Sequence, residues 1–280
     1  MQNFNYHSHT YRCMHADMDM SDEEYIQEYI KMGFKKIAFT DHCPEKNVID
    51  DRPKIRMKYS QKDEYIKSIN ILKDKYRNKI KIESGFEVEF MPGDEKNILE
   101  LKNDSDKIII GQHFIYDDNK KLKIFSKAEC TDEELYRYGE YIKKSMELKI
   151  ADIIAHPDIF LYRRPVFGEV EEAVTRMICE AAEKYNVPLE INLNYIFGKT
   201  YFENKKYNND SFEEQVKKLG NVVYPRKEFW DIVSEYDIKT IYGLDTHRRG
   251  QIMLFNELVD LANIIIGEET INKLNFVEDL

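Results

Sequence analysis

No apolar run in this 280-residue chain is long enough to span a bilayer, so no membrane helix is expected. Its four cysteines, Cys13, Cys43, Cys130 and Cys179, form no CxxC pair, and nothing at the N-terminus resembles a signal peptide. Both absences point to a reduced, cytoplasmic setting rather than a disulfide scaffold. Basic charge is in deficit as well: 42 Lys and Arg against 52 Asp and Glu leave a formal net charge of -10. Such a surface has no general attraction for polyanions, and there is no basic aromatic stripe. Neither nucleic acid nor a membrane is therefore an expected partner. Small anionic substrates stay open, because bound metal ions invert the local field. With neither a linker nor an internal repeat, the length suits one α/β domain.

What is present is alternation. Short runs rich in β-branched and aromatic residues predict strands over Asn3–Tyr6, Lys36–Phe39, Ile80–Ser84, Lys107–Ile110, Asp152–Ala155, Leu189–Asn192 and Lys239–Tyr242. Between them, helical periodicity covers Glu23–Met32, Gln61–Tyr76, Glu95–Leu101, Glu133–Leu148, Glu171–Tyr185, Lys227–Tyr236 and Ile252–Ile265. Ser21 with Glu24 and Thr131 with Glu134 have capping-box spacing, which marks two helix starts. Seven β/α units without a reversal predict a closed, irregular barrel. Two polar segments, Pro44–Ser60 and Lys199–Asn221, follow predicted strands and read either as lids or as solvated insertions. The first carries Arg52 and Arg56, which suit an anion-facing loop.

Six of the seven histidines sit where a predicted strand ends: His7-Ser8-His9, Asp41-His42, Gln112-His113, His156-Pro157 and Asp245-Thr246-His247. Imidazoles gathered at one end of a parallel sheet can share divalent ions with neighbouring carboxylates. His7 and His9 alternate at strand spacing and so face one side. Glu87 and Glu89 in Gly85-Phe86-Glu87-Val88-Glu89 share a face after the third strand; Glu87 is the expected bridging ligand and Glu89 a ligand or a neighbour of one. Cys13 and Cys43 lie beside metal-type histidines and read either as thiolate ligands or as small buried residues. Arg163 and Arg164 beyond His156, and Arg248 and Arg249 after His247, are candidates for holding a small anionic substrate or solvated loop residues.

The order HxH, DH, GxE, single histidines after the fourth and fifth strands and a late DxH resembles the PHP (polymerase and histidinol phosphatase) superfamily. The histidinol-phosphatase branch is the most similar, through Phe39-Thr40-Asp41-His42-Cys43-Pro44, Arg56-Met57, Gly85-Phe86-Glu87-Val88-Glu89 and Tyr224-Pro225. The resemblance implies a distorted (β/α)7 TIM-like barrel with three divalent ions, of which Zn, Mn and Fe are the leading choices. By motif, His7, His9, Glu87 and Asp245 hold one ion, Glu87, His113 and His156 a second, and His15, His42 and His247 a third. His15, a loop histidine by position alone, joins the set only through this resemblance. Arg56 and Arg163 resemble basic positions near the family's active site.

The implied chemistry is hydrolysis of a small phosphate monoester by a metal-activated hydroxide, with Glu87, Asp245 and His247 as catalytic residues and Arg56, Arg163, Arg164 and Arg248 binding substrate. Asp245 is read as a proton relay or as a ligand alone, and Asp41 as a support for His42 or another ligand. L-histidinol phosphate is the first substrate expected; another small phosphate, a nuclease activity or a non-catalytic metal-binding role are the alternatives. Ala155-His156-Pro157-Asp158 and Gly243-Leu244-Asp245-Thr246-His247 depart from the branch's usual Gly before the fifth-strand histidine and its Gly-Ser-Asp-Ala-His. The ligands survive these departures; the substrate pocket is what they alter.

Overall fold

A computed structural model describes residues 2–43, 55–202 and 222–278. Chain order is β1 (Phe4–Asn5), α1 (Asp22–Lys31), β2 (Lys36–His42), α2 (Lys62–Tyr76), β3 (Lys81–Val88), α3 (Glu95–Asp104) and β4 (Lys107–Ile110). A hairpin of β5 (Phe114–Tyr116) and β6 (Leu122–Ile124) follows, then α4 (Asp132–Glu147), β7 (Ile153–Ile154), α5 (Glu169–Tyr185), β8 (Leu189–Asn192) and α6 (Asn194–Phe197). The chain ends with α7 (Lys227–Val233), β9 (Lys239–Gly243), α8 (Arg249–Met253), α9 (Phe255–Ile266), α10 (Glu268–Ile271) and β10 (Asn275–Phe276). The capping boxes at Ser21 and Thr131 form as their spacing predicts. The helix expected over Ile252–Ile265 begins earlier and breaks at Leu254. The insertions Pro44–Ser60 and Lys199–Asn221, including Arg52, fall largely outside the described residues.

Eight strands form one parallel sheet in the order β1-β2-β3-β4-β7-β8-β9-β10. Its two ends approach each other beyond β1 and β9. The His9 N–H donates to Thr246 O and the Thr246 N–H to His7 O, making a parallel bridge between Ser8 and Thr246. The short β10 pairs with the start of β9.

Strand alternation sorts the side chains into two layers. Ile37 and Phe39 on β2 and Ile82, Phe86 and Val88 on β3 join the large apolar core that the helices cover. The alternate residues face inward, where Phe4, Tyr6, Ala38, Ile109, Ile153, Ala155 and Ile241 form a small separate cluster. Above that plug the inward positions turn polar. His42 is the last residue of β2, and Glu87 lies opposite it in register on β3. The alternation within the strands thus delivers both layers, while β2 and β3 run further than expected and carry His42 and Glu87 inside the strands.

Candidate metal centre

The expected ligands His7, His9, His15, His42, Glu87, His113, His156, Asp245 and His247 converge at this mouth. His9 stacks on His42 and His247 with ring centroids 4.3 and 4.1 Å apart, and His15 lies 4.4 Å from His247. His113 and His156 form a second group, 4.6 Å apart. Glu87 stands between the two groups. Its Oε1 is 3.0 Å from His156 Nε2 and 3.8 Å from His113 Nε2, while its Oε2 lies 3.5 Å from both His7 Nε2 and His9 Nε2 and 2.7 Å from His42 Nδ1. Each carboxylate oxygen therefore faces a different set of imidazoles. A Cβ on Gly111 of the neighbouring strand edge would fall 1.8 Å from Glu87 Oε1, so glycine is what leaves room for that carboxylate.

Asp245 Oδ1 is 3.0 Å from His9 Nε2, 3.4 Å from His7 Nε2 and 3.2 Å from His247 Nδ1. Its Oδ2 accepts from the side-chain amides of Asn192 (3.3 Å) and Asn194 (3.0 Å). His156 and Asp245 adopt φ of 31° and 47°, a region that costs a non-glycine residue on the order of 1 kcal/mol. Two of the expected ligands thus sit on strained backbone.

Behind the inner ring, carboxylates orient the imidazoles. Glu89 accepts from His113 Nδ1 (2.8 Å) and from the His113 backbone N–H (2.7 Å), the neighbour role rather than the ligand role. Asp41 lies 3.7 Å from His9 Nδ1 and is tied to Thr10, so it supports His9 and not His42. Sequence patterns had passed over Glu190, whose oxygens lie 3.0 and 2.9 Å from His7 Nδ1. Asn192 Nδ2 donates to Glu190 at 2.7 Å, and a Cβ on Gly243 would come within 2.1 Å of the carboxylate. An acidic residue inside the apolar run Leu189-Glu190-Ile191 was the available signal.

Protonation follows from this packing. Burial opposes charge on His7, but Glu190, Asp245 and Glu87 together raise its pKa well above the ordinary value. Burial likewise opposes charge on His9, which Asp245 and Asp41 nonetheless hold up at about 9. Burial and the neighbouring His247 push His15 down to about 3, and burial lowers His42 and His247 too. Burial disfavours the charged forms of Glu87 and Asp245, yet the surrounding imidazoles hold both well below the usual carboxylate range. A divalent ion requires ionised carboxylates and neutral imidazoles: His15, His42 and His247 already have that form, whereas His7 and His9 must give up a proton when an ion binds.

Several atoms here are buried without a hydrogen-bond partner: His7 Nε2, both nitrogens of His9, Glu87 Oε2, His156 Nδ1, Asp245 Oδ1 and His247 Nε2. Unsatisfied buried polar groups are costly, and so many at one point fit shared cations. Ligand atoms of His7, His9 and Asp245 lie within 4.8 Å of one another, as do those of His7, Glu87 and His156 and of His9, His42 and His247.

The four expected substrate arginines are not brought together. Arg56 is buried beside Glu89, 3.8 Å away, and donates to Cys43 O. Arg163 is exposed and donates to Ser126 O, Arg164 is engaged by Glu171 and Asp132, and Arg248 pairs with Asp17. An aromatic wall also escaped the sequence patterns: Tyr224 packs on His156 at 6.2 Å and against Tyr195 and Tyr162 at 5.2 and 6.5 Å.

The PHP domain model matches residues 5–194. The chain belongs to the PHP domain family. It is 29% identical over 149 residues to the histidinol-phosphatase of Bacillus subtilis, covering 51% of this chain and 53% of the relative. The chain thus spans about half the length of that curated relative. Two solved PHP-like structures share the fold. One, from Listeria monocytogenes, has TM-score 0.68 at 20% identity over 89% of this chain and 97% of its own. The other is the Lactococcus lactis histidinol phosphate phosphatase complexed with zinc, L-histidinol and phosphate, with TM-score 0.62 at 17% identity over 93% of this chain and 94% of its own.

Proposed function

We propose that this PHP chain is a metal-dependent phosphomonoesterase, with L-histidinol phosphate its substrate and three divalent ions at the mouth. Glu87 carries the proposal: one carboxylate whose two oxygens face separate imidazole groups is a bridging ligand by design of its surroundings. When bound, the ions supply Lewis acidity toward phosphate oxygens and a water made nucleophilic near neutral pH.

The chain's own residues position and hold. His7, His9, Glu87 and Asp245 suit one ion, Glu87, His113 and His156 a second, and His15, His42 and His247 a third. Asn192 and Asn194 donate to Asp245 Oδ2 and turn Oδ1 toward His7 and His9, which favours ligation by Asp245 over proton relay. Loss of metal and activity together in Asp245→Asn supports ligation; loss of activity with metal intact supports the relay. Arg56 is held beside Glu89, while Arg163 ends the 3-10 helix Ile159–Arg163 after β7, Arg248 caps α8 after β9, and both can reach a phosphate only from the rim. The tyrosine wall beside His156 offers flat aromatic faces suited to a planar, cationic leaving group such as histidinol.

The deciding experiment is metal analysis on purified protein with phosphate release from a panel of monoesters. Tightly bound transition metal and a kcat/KM for L-histidinol phosphate far above sugar phosphates, nucleotides and p-nitrophenyl phosphate are expected. Protein without such metal, or without phosphate release, removes the proposal.

A further inference from the structure

Among the buried cysteines, Cys13 lies at the metal mouth. It ends a short 3-10 turn, Tyr11–Cys13, anchored at its N-cap and at its middle residue: Thr10 bonds Asp41, and Arg12 pairs with Asp22 at 2.9 Å and Glu64 at 3.2 Å. The side chain is fully buried, and its sulfur lies within 4.8 Å of a ring nitrogen of His15 and of one of His247. Each of those imidazoles has Nδ1 against a backbone carbonyl, Cys13 O at 2.8 Å for His15 and Asp245 O at 2.9 Å for His247. That contact places the proton on Nδ1 and the lone pair on Nε2. His247 Nε2 is itself buried with no hydrogen-bond partner. Burial and the nearby Asp41 push the Cys13 thiol up, so the metal-free group keeps its proton and only a bound ion displaces it, while the backbone N–H groups of His15 and Ala16 donate toward the sulfur.

We propose that Cys13 is a thiolate ligand that joins His15 and His247 around one ion and makes that position selective for zinc. The proposal rests on the metal centre described above. Binding forms one sulfur–metal bond and releases the thiol proton to solvent. The sets His7, His9 and Asp245 and His7, Glu87 and His156 offer only nitrogen and oxygen, donors that also accept manganese and iron. A soft sulfur in the remaining position makes the centre chemically unequal: one position keeps zinc while the others exchange with supply.

Cobalt reports the thiolate directly. The full chain is stripped with a chelator and reloaded with Co2+, and its near-ultraviolet spectrum is recorded. Wild type is expected to show a thiolate-to-cobalt charge-transfer band, and Cys13→Ser to lose it while keeping cobalt elsewhere and an unchanged circular-dichroism spectrum. Wild type that binds cobalt without the band, or Cys13→Ser that retains it, overturns the thiolate and leaves the centre standing. Wild type that takes up no cobalt overturns both. Should Cys13→Ser fail to fold, alkylation of the wild-type chain mapped by mass decides: zinc should slow labelling of Cys13 by about tenfold or more relative to the stripped protein. Equal labelling overturns the proposal. Growth in manganese-rich medium gives a second measurement, with retained zinc expected in wild type and lost in Cys13→Ser.

Discussion

The barrel buries charge at both of its ends, and it does so in opposite ways. Where the strands begin, Glu83 lies 3.5 Å from Lys36, 3.0 Å from Lys81 and 3.6 Å from Lys107, and the ammonium groups of Lys36 and Lys107 sit 4.9 and 4.6 Å from the Tyr6 ring centroid. Opposite charges there meet one another. Where the strands end, carboxylates and imidazoles lie equally close, yet many of their facing atoms have no hydrogen-bond partner. Below, the chain's own lysines supply the positive charge that Glu83 needs, with Glu83 Oε2 left without a hydrogen bond; above, seven such atoms crowd together and are left for cations. Burial of charge alone is therefore no sign of a site; the direction in which the charge points is.

The largest effect that tests this contrast is metal removal. Chelation should abolish phosphate release while the far-ultraviolet circular-dichroism signal persists, because the helix-covered core and the lower plug do not involve the ligands. Zinc should restore activity. A stripped protein that unfolds would make the centre structural rather than catalytic. Next in size is Gly111→Ala, which drives a methyl into Glu87 Oε1. Displacing the shared carboxylate should lower kcat/KM by roughly 10³-fold, equivalent to about 4 kcal/mol of transition-state stabilisation. Metal content measured on the same sample should fall with it.

The two ends were also unequally legible. At the mouth, the proposed ligands other than His15 sit at positions where strand-like runs stop, and each run's apolar character makes the polar residue after it conspicuous. Barrel order followed from alternation with helices carrying their own capping signals at Ser21 and Thr131. Glu190 stayed hidden because its meaning depends on an imidazole 183 residues away, which no local pattern supplies. The β5–β6 hairpin, three residues a side, was too short to register, and the approach of β1 to β9 across Ser8 and Thr246 is a contact between opposite ends of the chain. The arginines illustrate the same limit from the other side. Arg163-Arg164 looked like one basic element, but the first donates to a loop carbonyl and the second bridges the starts of two helices through Asp132 and Glu171.

Glu190→Gln sharpens the comparison at smaller amplitude. The amide keeps the shape but loses the charge that holds His7, so metal affinity should drop about 10- to 100-fold, with activity recovering as zinc is added in excess. Activity that stays low at saturating zinc would place Glu190 in the chemistry itself. Unchanged affinity would mean that Asn192 and the packing around Gly243 already suffice to orient the ring.

Glu83→Gln tests the lower end and should have the smallest effect on catalysis. Removing its charge takes a carboxylate away from Lys36 and Lys107, both largely buried against Tyr6. Breaking a buried pair by deleting one partner typically costs on the order of 3 kcal/mol, so the midpoint of urea unfolding should fall clearly. Lys81 is mostly exposed and can turn to water, so it adds little to that cost. The folded fraction should nonetheless hydrolyse substrate at the wild-type rate and bind the same metal, since the apolar cluster from Phe4 to Ile241 separates Glu83 from the mouth. A second substitution, Lys107→Met, should return part of the lost stability by removing a buried cation that Glu83→Gln deprives of its carboxylate. If kcat falls with Glu83→Gln while the protein remains folded, the plug transmits strain to the centre, and the two ends of the barrel are not independent.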